Sequence, residues 1–323
     1  MRSYFKQKGR INNAYTVAFY NLENLFDTYN NPLTLDDDFT KTGSKNWNAK
    51  RYRKKLNKLS NIIAHIGTEK SYHSPAIVGV AEVENEMVLQ DLINTKHLTH
   101  KNYGIVHHDS PDERGIDVAL LYKKELFEVV HTKSYPLLLV NEEGERDYTR
   151  DILMVKGKLN GELMYVLVNH WPSRRSGAAK TEHKRIEAAE QVLNIIDIIN
   201  YETPEANIIV MGDFNDGPTS KSIKKHLMNH TLFNPMEQLV AKGKGSLQHK
   251  KSWYLFDQII FSKTFLSETP NTHSFKYADV FDKQFLKTWK GKYKGSPFRT
   301  FVGKWYKGGV SDHFPVYVHL KRN

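Results

Sequence analysis

The residues able to do chemistry in this sequence stand at the ends of apolar runs. Asn21 and Glu23 follow VAFY, Glu82 and Glu84 follow AIVGVA, and Asn169 and His170 follow YVLV. Asp213 and Asn215 follow IIVMG, while Ser311, Asp312 and His313 precede FPVYV. Each alone has an ordinary explanation, because Asp, Asn and Ser cap turns through local hydrogen bonds. Repeated at five run ends, the arrangement points to a site, since ligands gather where loops project side chains from rigid strands. In GDFN, Gly212 is expected to turn the chain sharply so that Asp213 and Asn215 face one side. A carboxylate beside a carboxamide suits a water near a phosphate: the first accepts a proton, the second donates to an oxyanion. In Ser311-Asp312-His313, a turn before the strand would let Asp312 reach a metal and His313 a phosphate or water. Histidine is the usual proton carrier near neutral pH, although a lone histidine is as often a satisfied buried one.

These residues need strands to hold them. The apolar runs predict strands at 16–20, 76–81, 117–122, 152–158, 163–169, 207–212, 255–261 and 314–320. Two helices alternate with them. Over 50–66, Tyr52, Leu56, Leu59, Ile62, Ile63 and Ile66 share one face, and the basic residues of 50–58 are read as the solvated face opposite. Over 182–199, Ala189, Leu193, Ile196 and Ile199 repeat in the same way, and a third helix is expected near 220–229 after Gly217-Pro218. The alternation predicts an α/β chain. No repeat or linker divides it, so an N-terminal extension 1–15 and a single domain 16–323 are expected.

Composition narrows the chemistry. The 323 residues are 39% hydrophobic, enough for a sizeable core, and contain no cysteine. Disulfides, thiolate zinc sites and cysteine nucleophiles are therefore excluded, and any metal must be held by oxygen or imidazole. No run is long enough for a transmembrane segment. The N-terminal MRSYFKQKGRINN has no apolar stretch behind its basic residues, so a cytoplasmic protein is the default, with a processed secreted or periplasmic form left open. The net charge of +11 suggests a polyanionic partner. Segment 285–307 holds seven basic residues, seven aromatics and no acid, a composition able to follow a phosphate backbone and stack on bases. The same segment could instead pack its aromatics inward while its lysines face water.

The strings YNLEN (20–24), GVAEVEN (79–85), RGIDVALLY (114–122), NHWPSR (169–174), GDFND (212–216), LFDQIIFS (255–262) and SDHFPV (311–316) occur in this order. With them the sequence resembles the endonuclease/exonuclease/phosphatase superfamily of deoxyribonuclease-like, exonuclease-III-like, sphingomyelinase and inositol-phosphatase enzymes. The resemblance implies a four-layered α/β/β/α sandwich, α+β in the broad sense, with two mixed sheets face to face and the active site at one rim. It implies Mg²⁺ or Mn²⁺ on Glu82 and Asn21 with Asp312 at or near the metal, hard oxygen ligands suiting those ions. Asp213 and Asn215 would position water and phosphate, Asp257 would orient His313, and His170 would bind a phosphate oxygen. Arg114 and Arg174, inside matching strings, are expected to clamp phosphate. Arg150 is left between a clamp and a surface arginine, Glu84 between the site and a pairing with a neighbour, and Glu23 between the site and a turn cap. The activity expected is a metal-dependent phosphodiesterase, a nuclease cutting by in-line attack of water. A lipid, inositol or other small-ester phosphatase is the alternative, and a catalytically silent nucleic-acid-binding protein is the rival of another class.

Overall fold

The structure, a computed structural model, describes residues 9–141 and 143–323. Its main strands are β1 Ala14–Leu25, β2 Ile77–Val83, β3 Tyr103–His107, β4 Asp117–Lys123, β5 Phe127–Tyr135, β6 Ile152–Leu159, β7 Glu162–His170, β8 Ile208–Asp213, β9 Leu232–Phe233, β10 Asp257–Ser262, β11 His273–Val280 and β12 Val316–Arg322. They form two six-stranded sheets, ordered β11-β12-β1-β2-β4-β3 and β9-β10-β8-β7-β6-β5. Each sheet has one parallel pair near its centre, β1 with β2 and β7 with β8, among antiparallel neighbours, so both are mixed.

Alternation along each strand decides what it packs against. In β8, Ile209 and Met211 enter the core shared by the two sheets, while Ile208 and Val210 face the opposite way. That outer face is covered by α3 (Glu182–Glu202 in the chain) through Ala189, Val192 and Ile196. On the other sheet, α1 (Ala49–Ile63) buries Tyr52, Leu56, Leu59, Ile62 and Ile63, and α2 (Glu86–Ile93) buries Val88, Leu89 and Leu92. Both helices are capped by asparagine: Asn48 accepts from the Arg51 N–H and Asn85 from that of Val88. Each fully buried aliphatic side chain, Leu59 for instance, contributes roughly 1.5–3 kcal/mol. The layers are helices, sheet, sheet, helix: the α/β/β/α sandwich.

The eight expected strands are present, several of them longer than expected. β3, β5, β9 and β11 were not anticipated. The helix expected at 220–229 is a π-helical stretch, Ser222–Leu227. Within the expected extension 1–15, β1 begins at Ala14 and the Ile11 N–H bonds the Lys70 carbonyl. Residues 1–8 of that extension lie outside the described residues. The basic run 50–58 is not simply a solvated face, since Lys55 is 2% exposed. Among the described residues no helix is long and apolar enough to cross a membrane.

Candidate catalytic site at the strand ends

The two parallel pairs bring four strand ends to one rim. Asp213 at the end of β8 is registered with His170 at the end of β7 and with Asp257 at the start of β10. On the facing sheet, Asn21 of β1 is registered with Ala81 of β2, one residue before Glu82, and the registers shift beyond both. Bulges of this kind re-aim side chains. Glu23, Asn24, Glu82 and Asn215 all carry positive φ, between 48° and 59°. For residues other than glycine this conformation costs free energy, and four such residues share this rim.

Asp213 is the hub. Its Oδ2 accepts a 3.0 Å hydrogen bond from Asn21 Nδ2, and its Oδ1 accepts from the Asn215 N–H at 2.9 Å. Both His170 Nε2 and His313 Nε2 lie 3.8 Å from Oδ2. Glu82 faces the same space, its Oε1 3.9 Å from His170 Nε2. Its Oε2 is fixed by the Asn24 N–H at 2.9 Å. His313 Nδ1 lies 2.6 Å from Asp257 Oδ2. Ser311 holds that loop in place, donating to the Asn21 carbonyl and accepting from the His313 N–H.

The charges follow from burial and neighbours. Burial works against a charge on His313, but Asp257 and Asp213 overcome it and hold its pKa well above the ordinary value. Burial pushes Asp213 up to about 6, with Asp257 adding to the shift and His313 opposing it. Burial, then Arg150, Arg114 and His313, hold His170 well below the ordinary histidine value, so it is neutral. The carboxylates facing Nε2 favour the tautomer protonated there. That choice leaves Nδ1, which is buried without a partner among the described residues, as a bare acceptor.

The remaining expected residues separate. Arg114 belongs to the rim: it bonds Asn24 Oδ1, lies 3.8 Å from Glu82 Oε2 and keeps 31% of its side chain exposed. Asn215 donates its side-chain N–H to the Trp171 carbonyl at 2.9 Å, which leaves one amide proton for another acceptor. Arg174 is not presented to the cluster. Its guanidinium is taken up by the Asn215 carbonyl, Asp216 and Ser220, where it braces the loop after β8. Arg150 is buried and bonds Asp112 and the His170 and Trp171 carbonyls. Asn169 turns inward to the Trp171 indole and the Met211 carbonyl. Gly212 does not make a turn; it lies within β8, where a Cβ would come 2.3 Å from the Asn169 carbonyl oxygen.

Glu84 accepts from the Asp27 N–H at 2.5 Å, and burial pushes it up to about 8. Glu23 does more than cap a turn. It accepts from the Thr300 N–H at 2.6 Å and lies 3.4 Å from Arg299 Nε, tying segment 285–307 to the rim. Arg299, Lys55 and Asn24 were not singled out in the sequence. Arg299 Nη2 also lies 2.7 Å from Asp312 Oδ2, and Lys55 donates to the Glu23 carbonyl. Lys55 did have a signal, falling three residues after Tyr52 and four before Leu59 on the apolar stripe.

The donors at the rim fit a hard divalent cation. Glu82 Oε1 accepts no hydrogen bond among the described residues, and the groups around it are carboxylate, carboxamide and imidazole. The expected trio of Glu82, Asn21 and Asp312 is not drawn into a cage. Asn21 leans on Asp213, its Oδ1 accepting from the Glu23 N–H, and Asp312 leans on Arg299. The groups whose ligating atoms do converge are Asp213, Asp257 and His313, all buried, and, elsewhere, His107, Asp109 and Asp117.

Residues 16–322 match a family model described as the Endonuclease/Exonuclease/phosphatase family. None of the curated proteins matches the chain in sequence. Among solved structures, a humanized TDP2 from D. rerio is 13% identical with a TM-score of 0.61, covering 96% of this chain and 99% of that one. The D. rerio TDP2 described as complexed with single strand DNA product is 14% identical with a TM-score of 0.58, covering 95% and 99%. A mannosyl-6-phosphatase from Bacteroides thetaiotaomicron is 19% identical with a TM-score of 0.58, also covering 95% and 99%. At these identities the likeness is one of fold.

Proposed function

This chain belongs to the endonuclease/exonuclease/phosphatase family, and from that premise we propose that it is a metal-dependent hydrolase of nucleic-acid phosphodiester bonds. The chemistry rests on one observation: His170, Asp213 and His313 meet around a single carboxylate oxygen, with Glu82 facing them. Near neutral pH Asp213 is ionised and accepts the proton of the attacking water. His313, protonated and oriented through Nδ1 by Asp257, donates from Nε2 to a non-bridging phosphate oxygen. Neutral His170 and the exposed part of Arg114 take the other oxygens, and the leaving oxygen departs opposite the water. Donors fixed in this way act on charge that develops only in the transition state, each worth about 10²–10³ in rate. Glu82, with Asn21 and Asp312, would hold Mg²⁺ or Mn²⁺, which when bound neutralises charge on the phosphoryl group.

A polymeric substrate is supported by segment 285–307. Phe285, Trp289, Tyr293 and Trp305 are 53–75% exposed, so these rings are open to stacking and not packed inward. Arg299 joins the segment to Asp312 and Glu23. The structural relative with a single strand DNA product agrees with that reading. A second reading, a small phosphomonoester, is favoured by the sugar-phosphatase relative and by Arg114 beside Glu82, a cation suited to a dianionic terminal phosphate.

Plasmid DNA, single-stranded RNA and a panel of sugar, inositol and lipid phosphates, each with Mg²⁺ or Mn²⁺, test the proposal beside His313→Ala and Glu82→Ala. Cleavage of nucleic acid that both variants lose is the expected result. Turnover of monoesters alone would select the second reading. Binding without turnover on any substrate would leave a silent binding protein. Independently of activity, Mg²⁺ or Mn²⁺ should raise the thermal midpoint of the parent but not of Glu82→Ala.

A further inference from the structure

On the outer side of α1, Lys54, Asn57, Lys58 and Asn61 line an open cleft with Lys96 and His97 from the turn after α2. Its volume is ≈ 740 Å³, and no carboxylate lines it. Lys54 and Lys96 are exposed and form no ion pair among the described residues. The cleft therefore concentrates positive charge without local compensation. Burial and Lys54 hold Lys58 below the ordinary lysine value; burial, then Lys96, His65 and Lys101, hold His97 below the histidine value. An anion would relieve this repulsion, and Asn57 and Asn61 add neutral donors.

The cleft adjoins the rest of the basic surface. Lys58 donates to the carbonyl of Gly308, three residues before Ser311, and stands 5.8 Å over the Phe298 ring. Arg51 lies 4.3 Å over Tyr306, and Lys45 5.3 Å over Phe301. Two basic clusters far apart in sequence, 50–58 and 285–307, thus form one face. Lys55, buried on the flank of α1, donates to the Glu23 carbonyl at the catalytic rim.

We propose that this cleft is a phosphate-binding exosite, holding a backbone phosphate of a single-stranded nucleic acid whose scissile phosphate lies at the catalytic rim. The proposal rests on the nuclease reading and adds to it a second contact for the strand, at the lysines of the cleft, on the face that α1 shares with segment 285–307.

The test compares the full chain with Lys54→Gln/Lys96→Gln, two changes that touch neither the rim nor Gly308. Binding of a fluorescent single strand of about 20 nucleotides is followed by anisotropy across salt concentrations, in a His313→Ala background that prevents cutting. The double variant should bind roughly tenfold more weakly near ~0.1 M salt, with a slope of log affinity against log salt shallower by about 1. Hydrolysis of a small chromogenic diester by the same variant with His313 intact should be unchanged. Equal affinity and slope, with tight binding by the parent, would overturn the exosite and leave the nuclease reading standing. Loss of small-diester hydrolysis would also overturn it, by assigning the lysines to the reaction centre. A parent that binds no oligonucleotide would remove both readings together.

Discussion

Asp257 is fully buried, its Oδ1 has no partner among the described residues, and its Oδ2 is 2.6 Å from His313. Its charge is therefore directed at one imidazole. Asp257→Asn keeps an acceptor for Nδ1 and removes the charge, so His313 should titrate at a lower pH. Since the raised pKa keeps His313 protonated, activity is lost as pH rises through it, and the variant's alkaline limb should move to lower pH with kcat down about 10²–10³. The acid limb reflects Asp213, which must be ionised, and falls as pH drops through about 6. An unchanged pH–rate profile in Asp257→Asn would rule out this assignment. Arg174 gives the opposite kind of prediction. Arg174→Ala leaves buried Asp216 to Arg185 and Ser222 and frees the Asn215 carbonyl. It should cost about 1–3 kcal/mol in denaturant unfolding and lower kcat with KM little changed. A raised KM at full stability would return Arg174 to the substrate. The sequence could indicate which residue types gather at this rim, but not where a guanidinium points. Carboxylate and phosphate satisfy the same planar fork, and only packing decides between them.

At the scale of elements, β12 is paired to β1 through a buried histidine. His319 has no exposed surface, its Nδ1 lies 3.1 Å from Thr16 Oγ1, and its Nε2 has no partner among the described residues. Burial first, and Lys70 second, depress its pKa from 6.5 to about 4. The folded state thus favours the neutral ring. The stability this gives is fully present above pH 6.5 and is lost progressively as pH falls toward 4, about 3 kcal/mol in all. His319→Gln removes the titrating group and should flatten that part of the unfolding profile. Matching slopes in parent and variant would assign the acid sensitivity to other groups. Strands such as β12 were legible because burial on both faces makes them continuous apolar runs. β5, FEVVHTKSY, sits at a sheet edge with most of its side chains wholly or partly exposed, and β11, HSFKYADV, mixes polar and apolar residues, so neither gave such a run. α2 spans only eight residues, too few for a 3.6-residue period to stand out.

For the molecule as a whole, two of the hydrogen bonds at the rim cross from one sheet to the other. Asn21 of the first sheet donates to Asp213 of the second; His313, leading into β12 of the first, binds Asp257 of the second. Catalytic alignment therefore depends on how the sheets are spaced. Stacked sheets keep about 10 Å between them through interdigitated side chains. At the centre of this interface stands Gly79 of β2, where a Cβ would lie 2.5 Å from Met211 Sδ of β8 and 3.1 Å from Phe19 Cδ2. Gly79 makes room for Met211, a relation invisible in sequence because the two residues meet only after both sheets have formed. Gly79→Ala should cost about 1–3 kcal/mol through overpacking. Because the added methyl pushes on the other sheet, it should also lower kcat about tenfold in protein that is still folded. Met211→Val, which shortens the opposing side chain, should recover part of both losses when combined with it, giving a coupling above roughly 0.5 kcal/mol in a double-mutant cycle. Full kcat in folded Gly79→Ala would mean that the rim is aligned by its own hydrogen bonds and tolerates a change in sheet spacing. Loss of kcat with rescue by Met211→Val would mean that the packing of the two sheets sets the geometry of the site.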